Sequence, residues 1–134
     1  MKTAFVTGAC INTGVAIVEK FATEGWNVIF TGRNLEKVHI VEKRYRDKFP
    51  NVQIIGYHID SLSDDGTVDE KSVADLFEEL DSKNISVDTL VLNAADQGLN
   101  MKIFENPLSD FIKVINTNMI WNYCLSEYAA KRMK

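Results

Sequence analysis

The sequence predicts a doubly wound α/β domain built on a parallel sheet with strand order 3-2-1-4. Short β-branched apolar runs alternate with amphipathic stretches of helical length along the chain, and such alternation implies right-handed crossovers between parallel strands. The runs are apolar on both faces, as strands covered by helices on both sides must be. The first run also leads directly into a glycine-bracketed loop, TGACINTG at residues 7–14, which lies where strand order reverses in such a sheet.

Each element follows from local pattern. Residues 4–7 read as a buried strand. Residues 14–24 read as a helix with Val15, Val18, Phe21 and Ala22 on one face and Gly25 as its stop. NVIFT, 27–31, is a second strand. Asn34 caps a helix that runs to about Lys48 and ends before Phe49-Pro50. VQIIGYHI, 52–59, is a third strand, and SLSDDGTVDE a polar loop. Residues 71–82 form a helix with Val73, Leu76, Phe77 and Leu80 on one side, and 87–92 a fourth strand. A longer connection, 95–107, leads to a long helix from Leu108 to the C-terminus. Its apolar residues, Phe111 to Tyr128, go almost all the way round. A helix of that kind is buried on more than one side. One side is expected on the sheet and the other, through Ile120, Trp121, Cys124 and Tyr128, in a homo-oligomer. No linker or repeat divides the chain, so residues 1–134 read as one domain.

Composition excludes several functions. A net charge of −4 with no basic cluster argues against nucleic-acid binding. Cys10 and Cys124 stand far apart without metal spacing and read as reduced thiols, though a bridge between them is conceivable. His39 and His58 have no ligand spacing, and in SLSDDGTVDEKS the twelfth position is Ser72, where a calcium loop needs Glu. No metal is expected. With no apolar signal segment and no run of membrane-spanning length, the expected compartment is the cytoplasm.

The loop after the first strand carries the first functional signal. Free N–H groups at the following helix start attract phosphate, and glycines let the backbone approach. Asn12 stands where such loops often carry a glycine. Asn visits the left-handed region more readily than other non-glycine residues, so it can keep the loop shape. Taken alone, a two-glycine loop slightly favours a plain β–α turn with no ligand.

TGACINTGVAIVEKFATEGWNVIFTGRN resembles the opening of the short-chain dehydrogenase/reductase family, whose loop is TGxxxGxG on a Rossmann-like sheet. Gly8 and Gly14 match, and Asn12 departs. Asp60 matches the Asp that contacts adenine. In LNAA, 92–95, Asn93 and Ala94 match the family's NNAG while Leu92 and Ala95 do not. DFIKVINTNMIW, 110–121, resembles the segment whose active-site Asn falls on Asn118. The resemblance implies a cofactor site at Thr7, Gly8, Asn12, Thr13, Gly14, Arg33, Asp60, Ser61, Asn93, Ala94 and Ala95, with Asn118 catalytic. It also implies dimerisation through the last helix.

At the end of the second strand the chain has Thr31-Gly32-Arg33-Asn34 and no acid before Glu36. An acid there would bind a ribose 2′-hydroxyl, whereas Arg33 offers a donor fork to a 2′-phosphate. By similarity to the family this favours NADP over NAD. The family's catalytic Ser and Tyr-x-x-x-Lys follow the long helix, so the resemblance implies a sheet truncated before its fifth strand. Ser126, Tyr128 and Lys131 are the right residue types, but Tyr and Lys stand three apart. They also lie roughly 15 Å beyond Asn118 on the same helix and read as structural. Two functional readings therefore stand: the cofactor-binding portion of an NADP-dependent oxidoreductase, inactive alone, or a non-catalytic nucleotide-binding or interaction module.

Overall fold

The computed structural model describes residues 1–98 and 105–133. Its strands are β1 (Thr3–Val6), β2 (Asn27–Gly32), β3 (Ile54–His58) and β4 (Thr89–Val91). They form one sheet in the order β3-β2-β1-β4, and every pairing is parallel. The expected strand order and alternation hold.

The sheet is apolar on both faces because side chains alternate across it. Phe5 and Ile29 enter one cluster, with the helix α3 (Glu70–Ser82) and the last helical segment; Val6, Val28 and Phe30 enter the other, with α1 (Asn12–Thr23) and α2 (Leu35–Lys48). Cys124 belongs to the first cluster and Cys10 packs on the second, so the two thiols lie on opposite faces and are free.

Boundaries moved where local chemistry decides them. α1 begins at Asn12 rather than at Gly14, because Asn12 enters the helix from a left-handed backbone, φ 52°. β3 begins two residues later than Val52, since the Gln53 amide is taken by the Asn27 side chain at 2.8 Å. α3 starts at Glu70, where Asp69 accepts from the Ser72 amide at 3.1 Å. β4 is only three residues long and, among the described residues, pairs with β1 alone.

The last helix differs most from expectation. It comprises α4 (Leu108–Ile115), a π-helical turn (Asn116–Ile120) and α5 (Trp121–Ala130). A π turn inserts one residue and shifts the phase of everything beyond it. Trp121, Cys124, Leu125 and Ala129 consequently face the sheet cluster and are buried. Tyr128 stacks on Phe77 with ring centroids 6.0 Å apart, and its hydroxyl donates to the Glu70 carboxylate at 3.3 Å. Of the four residues expected in an outer contact, only Ile120 is exposed. The outward apolar row is instead Leu108, Phe111, Ile112, Met119, Ile120 and Tyr123. No helix among the described residues is long and apolar enough to cross a membrane.

Trp121→Asp is therefore a core substitution. Losing the indole costs about 3–5 kcal/mol, before any cost of burying a carboxylate. Urea titration is expected to show a greatly lowered midpoint or an unfolded chain; a folded variant of unchanged midpoint that merely dissociates would restore Trp121 to an interface.

Candidate functional site

The C-terminal ends of all four strands converge on one cleft of about 410 Å³. Its floor is the turn from β1 into α1, and Thr7 anchors that turn. The Thr7 amide donates to the Val91 carbonyl at 3.0 Å, while its hydroxyl oxygen accepts from the amides of Asn93 and Ala94, each at 3.0 Å. Thr7 is fully buried and ties the loop after β4 to the loop after β1. From the other side the Gly8 amide donates to Thr31 Oγ1 at 3.2 Å, and the Tyr45 hydroxyl donates to the Ala9 carbonyl at 2.6 Å.

Steric limits explain the glycines. Gly8 has φ 65°, and a Cβ there would lie 2.9 Å from Ala94 Cα. A Cβ on Gly14 would overlap the Gly8 carbonyl oxygen and approach Ala9 Cα to 2.7 Å. Gly14 is buried. It lets α1 pack onto its own loop, so any side chain there breaks the turn before it meets a ligand. Asn12 adopts the positive φ expected of it, so its departure from glycine leaves the loop conformation intact.

The start of α1 is chemically distinctive. Its N-cap is Ile11, which has no capping side chain, and its first turn carries no acid. By contrast, Asn34 caps α2 by accepting from the Lys37 amide at 2.9 Å, and Asp69 caps α3. The leading N–H groups of α1 thus have no side-chain partner, and Ile11, Asn12, Thr13 and Gly14 all border the cleft. Orphan amides at the positive end of a helix make an anion site.

The cleft is cationic beyond β2. Arg33 and Lys37 both line it, and neither forms an ion pair with a described residue. Burial pushes the Cys10 thiol upward, and the Lys37 and Arg44 cations pull it part of the way back. The thiol therefore stays neutral near pH 7 and adds no charge that would repel an anion.

Two further walls complete the site. Ile59, Ser61, Thr117 and Trp121 stand at the end of β3, while Asn93, Ala94, Ala95 and Gln97 follow β4. Asn93 also donates to the Gly8 carbonyl at 3.0 Å. Asp60 is exposed beside the wall, and its carboxylate accepts from the Leu62 amide at 3.3 Å. Asn118 does not line the cleft. Its carboxamide accepts from the Asp96 amide and donates to the Asp96 carbonyl, both at 2.7 Å. The side chain is spent on holding the loop after β4, which is a positioning task. Ser126 donates to the Asn122 carbonyl, and Lys131 pairs with the Glu127 carboxylate and lies over the Tyr128 ring, all local contacts.

Cys10, Lys37, Gln97, Thr117 and Trp121 were not among the expected site residues. Helical spacing from the Asn34 cap brings Lys37 back toward Arg33, a usable signal. Nothing in the pattern announces the π turn that directs Thr117.

A family model described as short chain dehydrogenase matches residues 2–134. The chain belongs to the short-chain dehydrogenase family. It is 30% identical over 132 residues to an uncharacterized oxidoreductase of Thermotoga maritima, covering 98% of this chain and 48% of that protein. It is also 30% identical to the 3-oxoacyl-(acyl-carrier-protein) reductase of Aquifex aeolicus, covering 98% and 50%. Among solved structures, L-sorbose reductase from Gluconobacter frateurii, complexed with NADPH and L-sorbose, superposes with a TM-score of 0.84 at 25% identity, covering 98% of this chain and 47% of that one. The chain spans about half the length of the curated relatives it matches. Measured against the short-chain dehydrogenase loop TGxxxGxG, it replaces the middle glycine by Asn12 without losing the glycine-like backbone.

That replacement is directly testable. Asn12→Gly is expected to stay within about 0.5 kcal/mol of the parent, whereas Asn12→Ala, forced to positive φ, loses about 1–2 kcal/mol. Urea midpoints check both; equal stability of the two variants would mean residue 12 leaves the left-handed region in solution.

Proposed function

We propose that the cleft binds NADP(H), and that the protein is an oxidoreductase interconverting a carbonyl and an alcohol. The observation that carries this reading is the uncapped, acid-free start of α1 beside two cations, Arg33 and Lys37, that form no ion pair with a described residue. A dinucleotide phosphate has one anionic centre for each: a diphosphate for the amides and a 2′-phosphate for the cations. The residues present fit the group. The Gly8, Asn12, Thr13 and Gly14 backbone would cradle the diphosphate, Arg33 and Lys37 would hold the 2′-phosphate, and Asn93 to Ala95 would border the nicotinamide end. The NADPH bound in L-sorbose reductase supports the choice of cofactor.

When bound, the reduced nicotinamide supplies a hydride. These 134 residues supply the cradle and, through Asn118, a fixed loop after β4 beside the reacting end. They contain no Tyr-x-x-x-Lys unit, so within them nothing delivers the accompanying proton. Outside the cleft, Leu108, Phe111, Ile112, Met119, Ile120 and Tyr123 are exposed along the last helical segment, and exposed apolar surface of that kind favours association. We propose self-association there. Two free thiols on opposite faces of the sheet fit a reducing compartment, the cytoplasm.

Fluorescence titration with NADPH, NADH and ATP tests the cofactor. Arg33→Asp removes a phosphate partner and adds repulsion, and one charge-assisted bond contributes about 1.5–3 kcal/mol. NADPH affinity is expected to fall tenfold or more relative to NADH, on the same principle; equal losses would show that Arg33 does not meet a 2′-phosphate. No binding of any of the three would remove the nucleotide reading altogether.

A second test joins activity and assembly. The 134-residue chain is expected to oxidise no NADPH against a panel of carbonyl compounds and to sediment as an oligomer, which Phe111→Asp dissociates without unfolding. Steady turnover abolished by Tyr128→Phe would return Tyr128 to catalysis, and a monomer at high concentration would remove the interface.

A further inference from the structure

Among the described residues β3 pairs with β2 alone, so it forms one edge of the sheet. The Val28 amide donates to the Gln53 carbonyl, and the Ile59 amide to the Gly32 carbonyl. Odd-numbered residues of β3 therefore turn their backbone groups toward β2. Those of Ile54, Gly56 and His58 point away from the sheet, since alternate residues of a parallel strand bond to the same neighbour. Outward N–H and C=O groups on an edge invite a strand from another chain.

Two side chains of α2 meet these groups. Glu42 Oε2 accepts from the Gly56 amide at 2.6 Å, and Arg46 Nε donates to the Ile54 carbonyl at 2.8 Å. The two side chains also meet each other, with Arg46 Nη1 3.5 Å from Glu42 Oε1. Gly56 permits this approach. A Cβ there would lie 2.5 Å from Phe30 Cζ and 2.8 Å from Val38 Cγ1, and Val38 belongs to α2, so the helix comes down onto the strand at that point.

The bonding pattern is that of a strand. In a parallel ladder, a residue facing position i donates its N–H to the carbonyl of i−1 and accepts, at its carbonyl, from the N–H of i+1. Arg46 donates to residue 54 and Glu42 accepts from residue 56, which is the pattern of a residue facing Ile55. An antiparallel neighbour would serve both groups of one residue instead. On the same helix Lys43 and Asp47, at the same spacing, pair with each other out in solvent, with side chains 79% and 67% exposed. The Glu42 side chain is only 18% exposed.

We propose that the Glu42–Arg46 pair stands in for one residue of a parallel neighbouring strand, and so closes the β3 edge to strand addition by a second copy of this chain. A second copy is the intruder that matters because it carries the same edge. Two such edges can pair antiparallel about a two-fold axis at residue 56, a self-complementary contact.

Amide hydrogen exchange and sedimentation velocity test this. Glu42→Ala with Arg46→Ala is expected to speed exchange at Gly56 on the order of tenfold or more in dilute solution, and to leave Ile55 unchanged. On concentration the same variant should form a larger species absent from the parent. Lys43→Ala with Asp47→Ala removes the same charges from the same helix and is expected to do neither. Glu42→Ala alone is a milder change with the same expectation at Gly56, whereas Glu42→Gln keeps an acceptor for that amide and should sediment as the parent does. Adding His58→Pro deletes an outward N–H and spares the ladder with β2, so it should return the double-alanine variant to the parent's state. Parental sedimentation of the double-alanine variant at high concentration overturns the proposal, as does association that survives His58→Pro. Association of Glu42→Gln to the same extent as Glu42→Ala also overturns it, because charge rather than the strand-like bonding would then be the barrier.

Discussion

The approach of Gly14 to the Gly8 carbonyl is the contact on which the rest of the molecule depends. No atom beyond hydrogen fits on the Gly14 Cα. Because that space is empty of side chain, α1 can start directly off the end of β1 and lie flat on its own loop. At the start of that helix Ile11 occupies the N-cap, and its side chain has nothing to donate or accept. The first N–H groups of α1 are left without a cap there. Thr7 and Tyr45 then hold the turn from beneath and from the side, so its shape is set by the chain itself.

The opposite wall has a comparable organiser in the π turn. Three successive residues grip two loops: Asn116 donates to the Gly66 carbonyl at 2.9 Å and Thr117 meets Ser61, both after β3, while Asn118 clasps the Asp96 backbone after β4. A regular α-helix would spread three adjacent side chains over some 200° of its circumference. The inserted residue alters that spread and lets one turn serve both loops. π turns are rare and concentrate at functional sites, and this one stands where the loops after β3 and β4 meet the last helix.

Much of this was legible in the sequence for identifiable reasons. Val6 and Phe30 on one face of the sheet, with Phe5 and Ile29 on the other, made both faces apolar and so forced helices onto both sides. The left-handed backbone at Asn12 followed from the side chain's own preference. Other features were hidden for equally physical reasons. A helix apolar nearly all round has no readable phase, so Trp121 and Cys124 were expected outside when they belong inside. A single inserted residue leaves helical periodicity almost unchanged, so the π turn was invisible, and with it Thr117. Nor does a sequence say whether a glycine makes room for a ligand or for its own chain. Gly14 does the second. The sequence pointed to Asn118 but not to the partner of its side chain, the Asp96 backbone in the loop after β4.

The account stands or falls on where a phosphate-bearing ligand touches the chain. Amide chemical shifts of the isotopically labelled protein, followed during titration with NADPH, measure that residue by residue. Saturable shifts centred on Asn12, Thr13 and Gly14, with a second group at Arg33 and Lys37, are the result expected. Saturable shifts confined to the exposed face of α4 and α5, with the α1 amides unmoved, would contradict it.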